Sequence, residues 1–166
     1  ACDFTSTGIK NDETRGLISD TTYYLGGLTD GEMFSNQVYE YERGTTVYTG
    51  RPTTWQGKIA LPYPSDYGYA VDLNQCKEKK LFEYSDSTCT LNNWMNAILG
   101  TSSARWLLTP NSGASFRAWG VKSSGSVGTT YFIYSAYGVA PVLSLSSELS
   151  IKAGTGSSSD PYQLSV

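Results

Sequence analysis

The sequence predicts an α+β fold, with short N-terminal-half helices packed on a meandering, mainly antiparallel sheet with long loops. Two observations of order carry that expectation. Apolar residues at helical spacing occur only in the first hundred positions and only over short runs, whereas the last third is nearly all strand-like alternation and turn. A third observation concerns size: 166 residues, 39% hydrophobic and 13% aromatic, suffice for one domain over 1–166. A globule of that length buries about 70% of its extended surface and needs no metal to fold.

Asn11 or Asp12 is placed to cap a short helix carrying Leu17 and Ile18, after which TYYL turns strand-like and Gly26-Gly27 ends it. Asp30 is placed to cap a second helix with Met33, Val38 and Tyr41 on one side. TTVYTG, residues 45–50, reads as a strand or extended piece. Lys58 to Leu61 is a short apolar strand; Pro62 and Pro64 then bar regular pairing, and Ser65-Asp66-Tyr67-Gly68 reads as a turn. In TLNNWMNAILG, Thr90 is placed to cap a helix with Leu91, Trp94, Ile98 and Leu99 at helical spacing and Gly100 as its stop. ARWLLTP is a strand stopped by Pro110. SFRAWGV sets Phe116, Ala118 and Gly120 against Arg117, Trp119 and Val121, and Ser123 to Ser126 form a hairpin turn before the return from Val127. YFIYSAYGVAPVLSL adds one or two strands interrupted near Gly138 and Pro141; Leu149–Lys152 and Tyr162–Leu164 flank a Gly/Ser loop.

Composition excludes several functions. With no histidine there is no Ser-His-Asp or Cys-His chemistry and no histidine metal site. Twelve basic against fifteen acidic residues, a net charge of −3, leave no footprint for a nucleic-acid backbone. No apolar run approaches a membrane span. Asp66, Asp72, Glu83 and Asp86 are scattered, so no carboxylate pair advertises glycosidase chemistry, and Asp66 is expected to bond a turn amide. GTGSSSDPY is expected to be a surface turn with Asp160 held by backbone N–H groups, not a calcium loop. The sequence calls for no metal and no cofactor.

What remains is a surplus of tyrosine, thirteen in all, because each buried hydroxyl needs a partner. Tyr-, Ser-, Gly- and Asn-rich loops make adaptable binding surfaces. The stretch from Asn111 to Tyr137 fits best: Trp119, Tyr131 and Tyr134 would exclude water from a partner, and Asn111 and Arg117 would fix its orientation. The competing expectation is that Trp94, Trp106 and Trp119 form the core of an aromatic-heavy sheet. Cys76 and Cys89 bracket a polar segment. They are either two free thiols or a disulfide closing a 14-residue loop, worth about 3 kcal/mol, with Cys2 left over.

Taken together, TRGLISDTTYYLGG, YERGTTVYTGRPTTWQGKIALPYPSDYGYA, NNWMNAIL, RWLLTPNS and YGVAPVLSLSSELSIKAGTGSSSDPYQL resemble a family of bacterial surface and prepilin-type proteins. The resemblance spans nearly the whole chain and is most specific in its tail. This chain departs from it at Ala140, where relatives carry arginine. The resemblance implies the displayed head of such a protein, a C-type-lectin-like core, and a Cys76–Cys89 disulfide. It carries no catalytic residue set. The function expected is therefore a non-enzymatic display or adhesion domain, extracellular on a cell surface or pilus. Its partner would be a host or bacterial surface protein or glycan. The alternatives are a carbohydrate-binding module and a structural pilin head that packs on neighbouring pilin subunits.

Overall fold

The computed structural model describes residue 9 and residues 11–29, 32–99, 102–157 and 159–165. The mixed α+β class holds; among the described residues, helices are confined to positions before 100 and strands are distributed over four small sheets instead of one continuous meander. The chain forms two compact units. One comprises Ala1–Thr21, Gln56–Ile59 and Leu143–Val166; the other comprises Thr22–Trp55 and Ala60–Val142.

In the smaller unit, helix α1 (Asp12–Gly16) starts where Asn11 Oδ1 accepts the N–H groups of Glu13 and Thr14 at 2.8 and 3.2 Å. The helix then stops short of Leu17, and Ile18 is buried in an antiparallel bridge to Leu145. Strands β8 (Ser150–Ala153) and β9 (Gln163–Ser165) pair around the expected Gly/Ser loop. Asp160 Oδ2 accepts the Thr155 N–H at 3.0 Å, as that loop's chemistry implies. Gly154 sits at φ +93, where an added Cβ would meet the Pro161 carbonyl oxygen.

The larger unit carries the remaining helices and the three-stranded sheet, while four short strands have residues in both units. Strand β1 (Thr21–Tyr24) pairs with β2 (Thr54–Gly57), so the ladder forms beyond the 45–50 stretch, which turns at Tyr48–Arg51. Helix α2 (Ser35–Glu42) begins after Phe34, whose N–H is accepted by Gln37 Oε1 at 3.1 Å. This is later than a cap at Asp30 would give, and Asp30 itself lies outside the described residues. Val38 is buried, whereas Tyr41, placed on the same side by its spacing, faces solvent.

The segment after β3 (Ile59–Ala60) corrects the expectation of a turn, because Pro64–Tyr69 is a helix, α3. Proline at the first helical position loses no hydrogen bond, since that N–H has no intrahelical partner in any case. Asp66 at the third position accepts the Tyr63 N–H at 2.9 Å. The amide bond expected of Asp66 therefore starts a helix. Glu42, at the end of α2, is fully buried against the same helix start. Its carboxylate accepts the Ser65 N–H at 2.9 Å and the Ser65 hydroxyl, and it lies 3.1 Å from Arg43 Nη1. The side chain thus satisfies one of the donors that α3 cannot satisfy itself. Burial pushes the Glu42 carboxyl up to about 7, against the lowering effects of Ser65 and Arg43.

Helix α4 (Leu73–Cys76) and helix α5 (Ser87–Leu91) are joined by the Cys76–Cys89 disulfide, with Cα atoms 5.8 Å apart and both residues buried. Cys2 lies outside the described residues. The expected single helix over 90–99 is broken at Asn92-Asn93, and α6 (Trp94–Leu99) starts anew. Asn93 is buried there, donating to the Tyr67 carbonyl at 2.9 Å while its Oδ1 accepts the Asn96 N–H at 3.0 Å. Gly100, the expected stop, lies outside the described residues.

Strands β4 (Arg105–Pro110), β5 (Arg117–Val121) and β6 (Val127–Phe132) form an antiparallel sheet in the order β4-β5-β6. The β5–β6 connection is the expected hairpin, with Gly125 at φ +88 and Lys122 N–H bonded to the Ser126 carbonyl at 2.8 Å. One face of this sheet sends Leu107, Trp119, Val121 and Val127 into a core shared with Val38, Tyr67, Leu81, Tyr84 and the disulfide. Buried tyrosines find partners there: the Tyr84 hydroxyl donates to the Gly68 carbonyl at 3.0 Å, and the Tyr67 hydroxyl donates to Asn96 Oδ1 at 3.3 Å. The two-residue strand β7 (Val142–Leu143) pairs with β3. No helix among the described residues is long and apolar enough to cross a membrane.

Candidate functional site

Five residues of the Asn111–Tyr137 stretch were expected to meet a partner, and the fold separates them. Trp119 points from the core face of β5, is fully buried, and donates its indole N–H to the Leu28 carbonyl at 3.4 Å. Asn111 is also buried. Its Oδ1 accepts the Gly113 N–H at 2.8 Å, and its backbone bridges to Leu28. Both residues hold the β4–β5 corner against the backbone at Leu28 and are buried. Tyr131 pairs with Ala118 through the backbone, and its side chain lies outside the described residues.

Arg117 and Tyr134 do reach one exposed place. The hairpin sets Arg117 opposite Phe132, while Phe116 and Tyr134 lie just beyond the strand ends. The rings of Phe116 and Phe132 stack with centroids 5.9 Å apart and planes 15° from parallel. Phe132 and Tyr134 stack at 5.2 Å and 12°. Three nearly parallel rings thus form a ladder. The Ile133 N–H bonded to the Phe116 carbonyl at 3.0 Å extends the pairing beneath it. Arg117 Cζ lies 5.7 Å from the Phe116 centroid and 5.4 Å from that of Phe132, within cation–π range. Its Nε is buried with no hydrogen-bond partner among the described residues. Arg51 reaches the neighbouring Ser115 carbonyl, adding a second guanidinium at this end.

Phe116 is 47% exposed, Ile133 55% and Tyr134 76%. Phe116, Phe132 and Ile133 were not among the expected contact residues. The signal that marks them is the i, i+2 spacing of Phe132 and Tyr134 on one strand face, combined with the hairpin that returns Phe116 beside them.

A second set of polar groups clusters away from this ladder. Arg43 Cζ lies 3.4 Å from the Tyr39 centroid and 5.0 Å from that of Tyr63. The Tyr63 hydroxyl donates to the Tyr24 carbonyl at 3.0 Å, and desolvation pushes that phenol up to about 12. With Glu42 and Ser65 sealed from solvent beneath, this network fastens α2 to α3 and offers no route for a substrate to those two side chains.

No family model matches the sequence, and the searches of curated proteins and of solved structures likewise gave no match.

Proposed function

We propose that this chain is a non-enzymatic binding domain, displayed outside the cell, that adheres to a surface protein or glycan through the Phe116–Phe132–Tyr134 ladder. The observation that carries this reading is the ladder's combination of order and exposure. Stacked rings lose little conformational freedom on binding, and their open edges exclude water from a partner. Arg117 and Arg51 at the same end favour partners carrying carboxylate or other anionic groups over neutral apolar surfaces. The Cys76–Cys89 disulfide supports an oxidising compartment, and with it the extracellular, cell-surface or pilus location. A carbohydrate-binding module is the second reading, favoured by the high exposure of Tyr134, whose ring is placed to stack on a sugar.

The test is adhesion of domain-coated beads to immobilised surface proteins and to a glycan array, with and without calcium. Phe116→Ala combined with Tyr134→Ala is expected to weaken adhesion about tenfold or more with an unchanged melting curve. Equal adhesion of wild type and variant overturns the reading. An array that stays blank in every condition removes the glycan partner and leaves the protein partner.

A further inference from the structure

The helical apolar stripe of the 90–99 segment is not in the core. Leu91 is 84% exposed, Trp94 62% and Ile98 72%. Beside Trp94 lie two adjoining hollows of about 360 and 220 Å³, which share Pro62, Trp94, Met95 and Val142 in their walls. The larger ends on Asp66 and Tyr69; the smaller is closed by Ile98 and Pro141. The result is one elongated cleft, acidic at one end and apolar at the other, in the size range of small-molecule sites.

We propose that this cleft binds a small organic ammonium ion with an apolar body, its charge held at Asp66 and its body laid along Trp94. Asp66 uses Oδ2 to accept the Tyr63 N–H, and its Oδ1 has no hydrogen bond among the described residues. Among the described residues, no lysine or arginine lines either hollow. Arg43 favours the Asp66 anion through its charge, but its contacts are to Glu42 at 3.1 Å and to the faces of Tyr39 and Tyr63. Partial burial disfavours the Asp66 anion, so a cation arriving beside it relieves an existing cost. Tyr69 and Trp94 add ring faces that attract ammonium groups and repel anions. The apolar end, where Ile98 and Pro141 carry no charge, sets the requirement for a hydrocarbon body. This inference rests on residues separate from the aromatic ladder and stands whether or not the ladder binds.

The experiment is calorimetric titration of the full chain with three probes of equal length: hexyltrimethylammonium, hexan-1-ol and hexanesulfonate. The ammonium is expected to bind about tenfold or more tightly than the alcohol, and the sulfonate not at all. Asp66→Asn keeps an acceptor for the Tyr63 N–H. It is expected to lower ammonium affinity about tenfold while leaving the alcohol unchanged. Trp94→Ala, at an exposed position, should weaken both probes. Tyr69→Ala should narrow the gap between ammonium and alcohol, which keeps the idea testable even if Asp66→Asn is poorly folded. Equal binding of all three probes to the wild type overturns the proposal. So does an Asp66→Asn protein with wild-type melting and wild-type ammonium affinity.

Discussion

Replacing Glu42 by glutamine tests whether a buried carboxyl burdens this fold at neutral pH. The side chain has no solvent exposure, and desolvation moves it from 4.5 to about 7 despite its bonds to Ser65 and Arg43. Below pH 4.5 the carboxyl is protonated in both states, so the contribution to stability is fully present. As pH rises, the unfolded chain releases its proton first while the folded chain retains it, and stability falls. The loss is complete once pH has passed through the folded value. The gap corresponds to about 3 kcal/mol, a large share of the roughly 5–15 kcal/mol typical of a domain. Glutamine cannot ionise, yet it still offers Oε1 to the Ser65 N–H, and the Ser65 hydroxyl can accept from its amide. Glu42→Gln should therefore track the wild type near pH 4.5 and exceed it by about 3 kcal/mol at pH 8. Urea denaturation followed by tryptophan fluorescence at several pH values measures the difference. The neighbouring Asp66, whose carboxyl is also pushed up by burial, is present in both proteins and largely cancels. Parallel pH profiles for the two proteins would refute the reasoning.

Other outcomes follow from the same physics. Reducing the disulfide, or replacing Cys76 and Cys89 by serine, should lower unfolding free energy by about 3 kcal/mol through the 14-residue loop it closes. Thermal melts with and without reductant should differ for the wild type and coincide for the double variant. Gly125→Ala places a side chain at φ +88, where its Cβ would meet Thr90 Cγ2 at 2.3 Å and the Tyr84 carbonyl oxygen at 3.0 Å. A cost of about 1–3 kcal/mol is expected, and a neutral melting shift would contradict the tight hairpin packing.

The sequence revealed most where the deciding chemistry is local. Asn11 caps α1 because its acceptor lies within three residues of the donors it serves. The 123–126 turn and the β8–β9 loop are similarly legible, since glycine at positive φ needs no distant partner. Pro62 and Pro64 mislead for the opposite reason. Whether Pro64 breaks a pattern or opens a helix depends on a carboxylate from α2, more than twenty residues away, that satisfies Ser65. The break between α5 and α6 also depends on a remote acceptor, the Tyr67 carbonyl that captures Asn93. Spacing identified Leu91, Trp94 and Ile98 as helical, but period reports only that residues share a face, not whether anything covers that face.

The aromatic ladder shows the same limit at the scale of one residue. Counting back from the hairpin, Val127 opposes Val121 and Gly128 opposes Gly120. An unbroken register would continue to set Phe132 directly opposite Phe116. The irregularity between Ala118 and Gly120 shifts the pairing by one, so Phe132 comes to oppose Arg117 instead. That single shift brings the guanidinium alongside two rings and leaves Phe116 to stack from beyond the strand end. Trp119, two positions further along β5, stays on the buried face with Val121. Exposed ladder and buried core therefore divide Arg117 from Trp119 and Val121, which the alternation of SFRAWGV placed on one side. The register shift itself arises on β6, where Thr129 and Thr130 stand between the two pairs against the single Trp119 of β5, so nothing within SFRAWGV announces it.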